Sequence, residues 1–176
     1  MLFTHDTEVA LQGAVALVNS AEQPDSLTTD AELDAFVQEW RWTGSRDPGR
    51  DELAEVRSLR PRLRRLWSLP EEELVEGVNA LLREARALPQ LVRHDDWDWH
   101  LHATTADQPL AVRMAVEAAM ALVDVVRAGE TSRMAVCDAP DCDAVLIDLS
   151  RNRSRRYCDR GCTNRMAAAA YRARRA

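Results

Sequence analysis

Four cysteines within the last 40 residues constrain this chain more than any other feature. Cys137 and Cys142 are separated by four residues, Cys142 and Cys158 by fifteen, and Cys158 and Cys162 by three. Two close pairs joined by one intermediate loop can wrap a single tetrahedral ion, each pair supplying two thiolates to one side of it. Two disulfides would need an oxidising compartment, and a redox-active pair would need two intervening residues, a spacing that neither pair has. An iron–sulfur cluster also takes four thiolates, but its usual spacings differ. The opening stretch MLFTHDTEVALQGAVALVNS starts acidic and lacks a basic leader, so no secretory signal is expected and a cytoplasmic location is. No run of 18 uninterrupted apolar residues is present, so no membrane span is expected. A reducing cytoplasm favours one structural Zn2+ on Cys137, Cys142, Cys158 and Cys162. Pro140 and Asp141 favour a tight turn between the first pair, AVLID reads as a short strand, and Cys158 is expected to open a final helix with Cys162 one turn on. The expected shape is a knuckle, a hairpin and a helix, like a treble clef.

Charge divides the chain at the same place. Residues 1–150 hold 14 Arg against 28 acidic residues, whereas residues 151–176 hold nine Arg and only Asp159, so the parts carry −14 and +8 within a total of −6. An acidic body with a basic end points to the end as the part that meets a polyanion. All 23 basic residues are Arg, in the body as in the tail, which reads as genome composition.

Upstream of the cysteines the periodicity is mainly helical. With 46% hydrophobic residues the chain can bury a real core. Leu11, Val15 and Val18 share one helical face, and QPDSLTTD then breaks the pattern. Thr29 with Glu32 forms a capping box ahead of Leu33, Phe36, Val37 and Trp40. Leu53, Val56, Leu59, Leu63 and Leu66 mark another helix, which Pro61 should kink or divide, and Ser68 is placed to cap the next, whose core face includes Leu74, Val78 and Leu81. LAVRMAVEAAMALVDVV is apolar almost all round and belongs in the middle of the domain. Gly129 should end it, with RAGETS as the linker.

One stretch changes to period 2. In DWDWHLHA, Trp97, Trp99, Leu101 and Ala103 alternate with Asp98, His100 and His102, as in a half-buried strand, with QLVR as a hairpin partner turning through HDD. The plain expectation buries the two Trp residues and leaves Asp98, His100 and His102 as a solvated polar face. The other reading makes these three a ligand pocket or a two-imidazole metal site.

The stretch CDAPDC…LIDLSRNRSRRYCDRGCTNRMAAAAYRAR, residues 137–174, resembles the CGNR zinc-finger family. There a cysteine pair, a D-x-S-R-N-x-x-R-R segment and a final cysteine followed by Gly-Asn-Arg recur, and the upstream layout is similar to the helical ABATE domain that usually precedes this finger. The resemblance implies that the four cysteines are the zinc ligands. It places Ser150, Arg151, Asn152, Arg155 and Arg156 in the signature segment, and Asn164 and Arg165 at its end. Thr163 stands where the signature has glycine, so the backbone there need not be left-handed. The last pair also has three intervening residues where many members have four. The family is described as stress-induced transcription regulators.

Together these readings give a mainly α protein. A helical sensor or dimerisation domain with a small β-hairpin spans residues 1–130, and a treble-clef-like zinc finger spans residues 133–176. The expected function is DNA-binding transcription regulation in a stress response. Arg151, Asn152, Arg153, Arg155, Arg156 and Arg172 are candidates for phosphates, and Asn164 and Arg165 for base edges. A homodimer and a small-molecule effector fit this plan. No catalytic role is expected, because no phosphate loop and no nucleophile with a base is placed by spacing. The alternative is a ligand-binding or enzymatic N-terminal domain with a structural or protein-binding finger, whose arginines pair with the acidic body.

Overall fold

A computed structural model describes residues 2–93 and 98–175. The protein is mainly α, with two small antiparallel hairpins and a C-terminal cluster of four cysteines. Its axis is α5 (Leu110–Arg127), which packs against α1 (His5–Asn19), α3 (Glu52–Leu66) and α4 (Glu71–Glu84). The breadth of the apolar surface on α5 explains this: Leu110, Met114, Leu122 and Val125 are all buried, as are Val116, Ala118 and Ala119 on other sides of the helix. Leu11 and Val18 of α1, Leu59 and Leu63 of α3, and Leu74 and Val78 of α4 close the same core.

α2 (Asp30–Glu39) begins at the expected capping box: the Glu32 amide donates to Thr29 Oγ1 at 3.3 Å, and the Thr29 amide donates to Glu32 Oε2 at 2.9 Å. Two local expectations fail. Pro61 does not divide its helix, which runs unbroken from Glu52 to Leu66. Ser68 does not cap α4, which starts after Pro70, a residue whose fixed φ suits a helix entry without any side-chain bond.

The first hairpin pairs β1 (Gln90–Val92) with β2 (His100–His102) in the register Leu91↔Leu101. Its faces are the reverse of the plain expectation. His100 is buried and His102 half-buried, whereas Trp99 and Leu101 are exposed, Trp99 at 64%. Alternation fixes which residues share a face but not which face turns inward. Here the imidazole side turns inward, His100 bonding to Asp98 O and to His102, and Ala103, not Trp99, supplies a buried apolar contact. Trp97 and the HDD turn lie outside the described residues.

α5 ends at Gly129, whose φ of 66° lets the chain turn back, with the Gly129 amide bonded to Val126 O and that of Glu130 to Val125 O. The RAGETS stretch is not slack. Glu130 and Arg133 are buried, and a 3-10 turn over Thr131–Arg133 leads into β3 (Met134–Val136), which pairs with β4 (Val145–Ile147). Val145 and Ile147 join the core of the helical body. Trp67 Nε1 donates to Leu146 O at 3.0 Å. Among the described residues no helix is long and apolar enough to cross a membrane.

Candidate metal centre and nucleic-acid face

The second hairpin and the helix that follows it bring the four cysteines together. Cys137 follows β3, and Asp141, with φ of 61°, turns the chain so that Cys142 faces back toward it before β4 begins. Cys158 does not lie in a helix, contrary to its expected place. Gly161 at φ 81° ends the preceding turn, and α6 (Cys162–Ala173) begins with Cys162 itself. A left-handed residue cannot continue a right-handed helix, so the second pair straddles the helix start. Thr163 lies within the first turn of α6, where no left-handed backbone is needed, as its side chain implies.

The four sulfurs lie within 4.8 Å of one another, and Cys142 Sγ and Cys158 Sγ are 3.7 Å apart. That spacing is far beyond a disulfide bond of about 2.05 Å. It matches the edge of about 3.8 Å of a tetrahedron whose corners sit about 2.3 Å from a central ion. Amide donors surround the sulfurs: Cys158 N donates to Cys137 Sγ at 3.3 Å, and the amides of Ala139, Ala144 and Arg160 point at Cys137, Cys142 and Cys158. Such donors favour thiolate over thiol. Burial works against them, yet at Cys137 the amides prevail and the thiol is lowered. Burial and the neighbouring sulfurs push Cys158 up to about 12, and burial raises Cys142. Four sulfurs this close cannot all carry charge unless a cation sits among them, and the cluster therefore fits a metal ion.

The segment between β4 and Cys158 is organised by Asp148, a residue that spacing alone does not single out. Asp148 is buried, and its carboxylate accepts from the amides of Ser150 and Arg155, each at 2.8 Å. Burial opposes its charge, but these bonds and the Arg133 guanidinium hold it below the usual carboxylate range. The legible signal was the D-x-S pattern of an Asx turn. Arg133 anchors the same loop through the carbonyls of Asp148 and Ser150.

The candidate arginines divide into two sets. Arg153 donates to Glu130 at 2.9 Å, Arg156 to Asp138 at 2.7 Å, Arg155 pairs with Asp159, and Arg165 reaches Pro140 O at 3.2 Å and Cys162 Sγ at 3.4 Å. These side chains hold the finger together while remaining partly or largely exposed. Arg151, Asn152, Asn164 and Arg172 are exposed and make no side-chain bond among the described residues. Asn164 lies in the first turn of α6 and Arg172 in the last. Arg160, not singled out beforehand, fastens the finger to the body through Asn19 O and Gln23 O.

Of the three residues read as a pocket, the structure joins two. His100 Nε2 and His102 Nε2 are 3.0 Å apart, whereas the Asp98 side chain is exposed and accepts from the Trp99 amide. The imidazoles line a cavity of about 100 Å³ with Trp40, Trp42, Glu117 and Asp124. Burial pushes Glu117 up to about 7, against the attraction of Arg113.

Residues 12–129 match the model of ABATE, described as a putative stress-induced transcription regulator, and residues 133–175 match that of the CGNR zinc finger. No curated protein matches the chain.

Proposed function

We propose, since the chain belongs to the ABATE family and ends in a CGNR zinc finger, that it is a cytoplasmic transcription regulator whose finger, folded around one zinc ion, binds duplex DNA. The observation that carries this reading is the set of exposed, uncommitted polar side chains beside the metal centre: Arg151, Asn152, Asn164 and Arg172. Zinc held by four thiolates supplies the cross-link that a segment of this size needs to keep a fixed shape. Arg151 and Arg172 then meet phosphates, which gives affinity and position without sequence choice. Asn164, at the start of α6, is placed to read an adenine edge if that end of the helix enters the major groove, and Arg165 keeps guanidinium donors for a guanine. Arg153, Arg155 and Arg156 add positive potential while keeping the loop in shape. The −14 charge of the body opposes loose binding, so only a well-fitted duplex is retained. No catalytic step belongs to this reading.

Electrophoretic retardation on genomic fragments, with and without chelator, tests it. Retardation that falls steeply with salt and disappears on chelation is expected. Failure of the zinc-loaded chain to bind any duplex even at about 50 mM salt, where phosphate contacts are least screened, overturns it. A second reading, a ligand-binding body with a structural finger, is favoured by the Arg153–Glu130 and Arg160–Asn19 contacts and by the cavity beside His100. That protein would bind no duplex under the same conditions.

A further inference from the structure

We propose that the cavity beneath the first hairpin is a second metal site, separate from the cysteine cluster, which takes a divalent first-row transition ion on His100 and His102. The inference is independent of DNA binding and starts from the strand. Residues two apart on a strand share a face, so the His-Leu-His run of β2 sends both imidazoles into the cavity between α1, α5 and the Trp40–Trp42 stretch.

The ring nitrogens are then fixed by their partners. His100 Nδ1 lies 2.7 Å from Asp98 O, and a carbonyl can only accept, so Nδ1 carries the proton and the neutral ring keeps its lone pair on Nε2. That nitrogen lies 3.0 Å from His102 Nε2, the rings meeting edge to face at 67°; with His100 accepting, the shared proton sits on His102 Nε2 and is released when an ion takes its place. An ion about 2.1 Å from each nitrogen would see them at roughly 90°, the angle between adjacent ligands in octahedral or square geometry. An imidazole whose other nitrogen donates to a carbonyl is the usual state of a metal-bound histidine.

The cavity also supplies charge. Glu117 faces it and has no hydrogen bond or ion pair among the described residues, because the nearby Arg113 is spent on Gln108 O and Ser45 O. Asp124 faces it as well and accepts from Thr7 Oγ1. Among the described residues only the cysteine cluster brings three or more ligand atoms within mutual reach. Glu117 is accordingly assigned to the ion's water, not to the ion, and the site is expected to be much weaker than the thiolate centre. Imidazole ligands with oxygen donors suit nickel, cobalt or zinc and not calcium or magnesium.

The test uses the full, tag-free chain with its finger metal in place, titrated with Ni2+ and with Co2+ by calorimetry and absorption. One equivalent beyond the finger metal is expected, its Co2+ spectrum lacking the strong thiolate charge-transfer bands of the cysteine site. His100→Gln and His102→Gln should each weaken that equivalent at least about tenfold, and Glu117→Gln by a smaller factor, with the finger metal retained. Retention of the finger metal and of the far-ultraviolet dichroism shows that a variant is folded. Should buried His100 fail that control, half-exposed His102 carries the comparison. No second equivalent with ion in large excess over the chain overturns the proposal. So does a second equivalent that survives both histidine substitutions, since it would lie elsewhere.

Discussion

The side-chain amide of Asn19 makes two bonds to one residue 126 positions away: Nδ2 donates to Val145 O at 2.8 Å, and Oδ1 accepts from the Val145 amide at 2.8 Å. The last residue of α1 thus takes the place of a neighbouring strand along the free edge of β4, and fixes the finger hairpin to the body at one register. Asn19→Ala strands a buried donor and a buried acceptor together, each costing about 1–3 kcal/mol. A loss of at least about 2 kcal/mol in urea unfolding is expected, and a loss below about 0.5 kcal/mol would show that water replaces the amide.

Metal removal should be felt beyond the finger. Binding of a structural ion contributes on the order of 10–16 kcal/mol, and Val145 and Ile147 belong to the body's core. Chelation is expected to bring the amides of α6 to near-unprotected exchange and to lower the melting temperature of the helices as well, while α5 stays protected. Hydrogen exchange with and without chelator reads both. An unchanged melting temperature would show that the hairpin docks without its ion.

The inverted hairpin gives a comparison of two adjacent residues. Trp99 is exposed, with the Arg93 guanidinium 5.8 Å from its ring. Trp99→Ala should therefore cost about 1 kcal/mol or less. His100→Ala, which removes a buried ring bonded at both nitrogens, should cost about 1–3 kcal/mol. Equilibrium unfolding of the two variants decides the order.

The two arginine sets should separate in salt titrations. Arg151→Gln and Arg172→Gln are expected to lower the log–log salt slope of duplex binding by roughly 0.9 each with little change in stability. Arg153→Gln should also destabilise, because it releases Glu130, which Arg133 and Arg153 hold below the usual carboxylate range. Asn164→Ala should cost about 1–3 kcal/mol on a preferred site and almost nothing on random DNA.

Glu117 predicts a pH dependence of the opposite sign to that of a salt-bridged acid. Its carboxyl rises from 4.5 to about 7 on folding, so between those values the folded chain binds more protons and stability falls as pH rises. In metal-free buffer Glu117→Gln should remove that slope and be more stable than the parent at about pH 8 by about 1–3 kcal/mol, a range reduced for the residue's remaining contact with the cavity. Identical slopes in parent and variant would exclude a buried Glu117.

What the sequence made legible was local. The cysteine spacing marked the metal cluster because a loop of fixed length either closes on an ion or does not. The Thr29–Glu32 cap and the largely apolar α5 likewise depend on residues within a few turns of one another. What it hid depends on partners far along the chain. Nothing near His100 says that the imidazole side faces α1 and α5, and nothing near Val145 points to Asn19. For Asp148 the D-x-S pattern showed the turn but not the burial. A buried carboxylate that organises a loop looks, in a string of letters, like one more acidic residue among 29.

Helix α5 carries Glu117 and Asp124 on the cavity wall and hands over, within three residues of its end, to Glu130, whose carboxylate holds both Arg133 and Arg153. At 1.5 Å per residue its 18 residues form a rod of about 27 Å. Gly129 itself is exposed, but Glu130 is buried and its amide is bonded back to Val125 O, so the chain leaves the rod at a fixed point. The helix that walls the histidine cavity is thus tied, through the Glu130 carboxylate and Arg133, to the loop that displays Arg151 and Asn152.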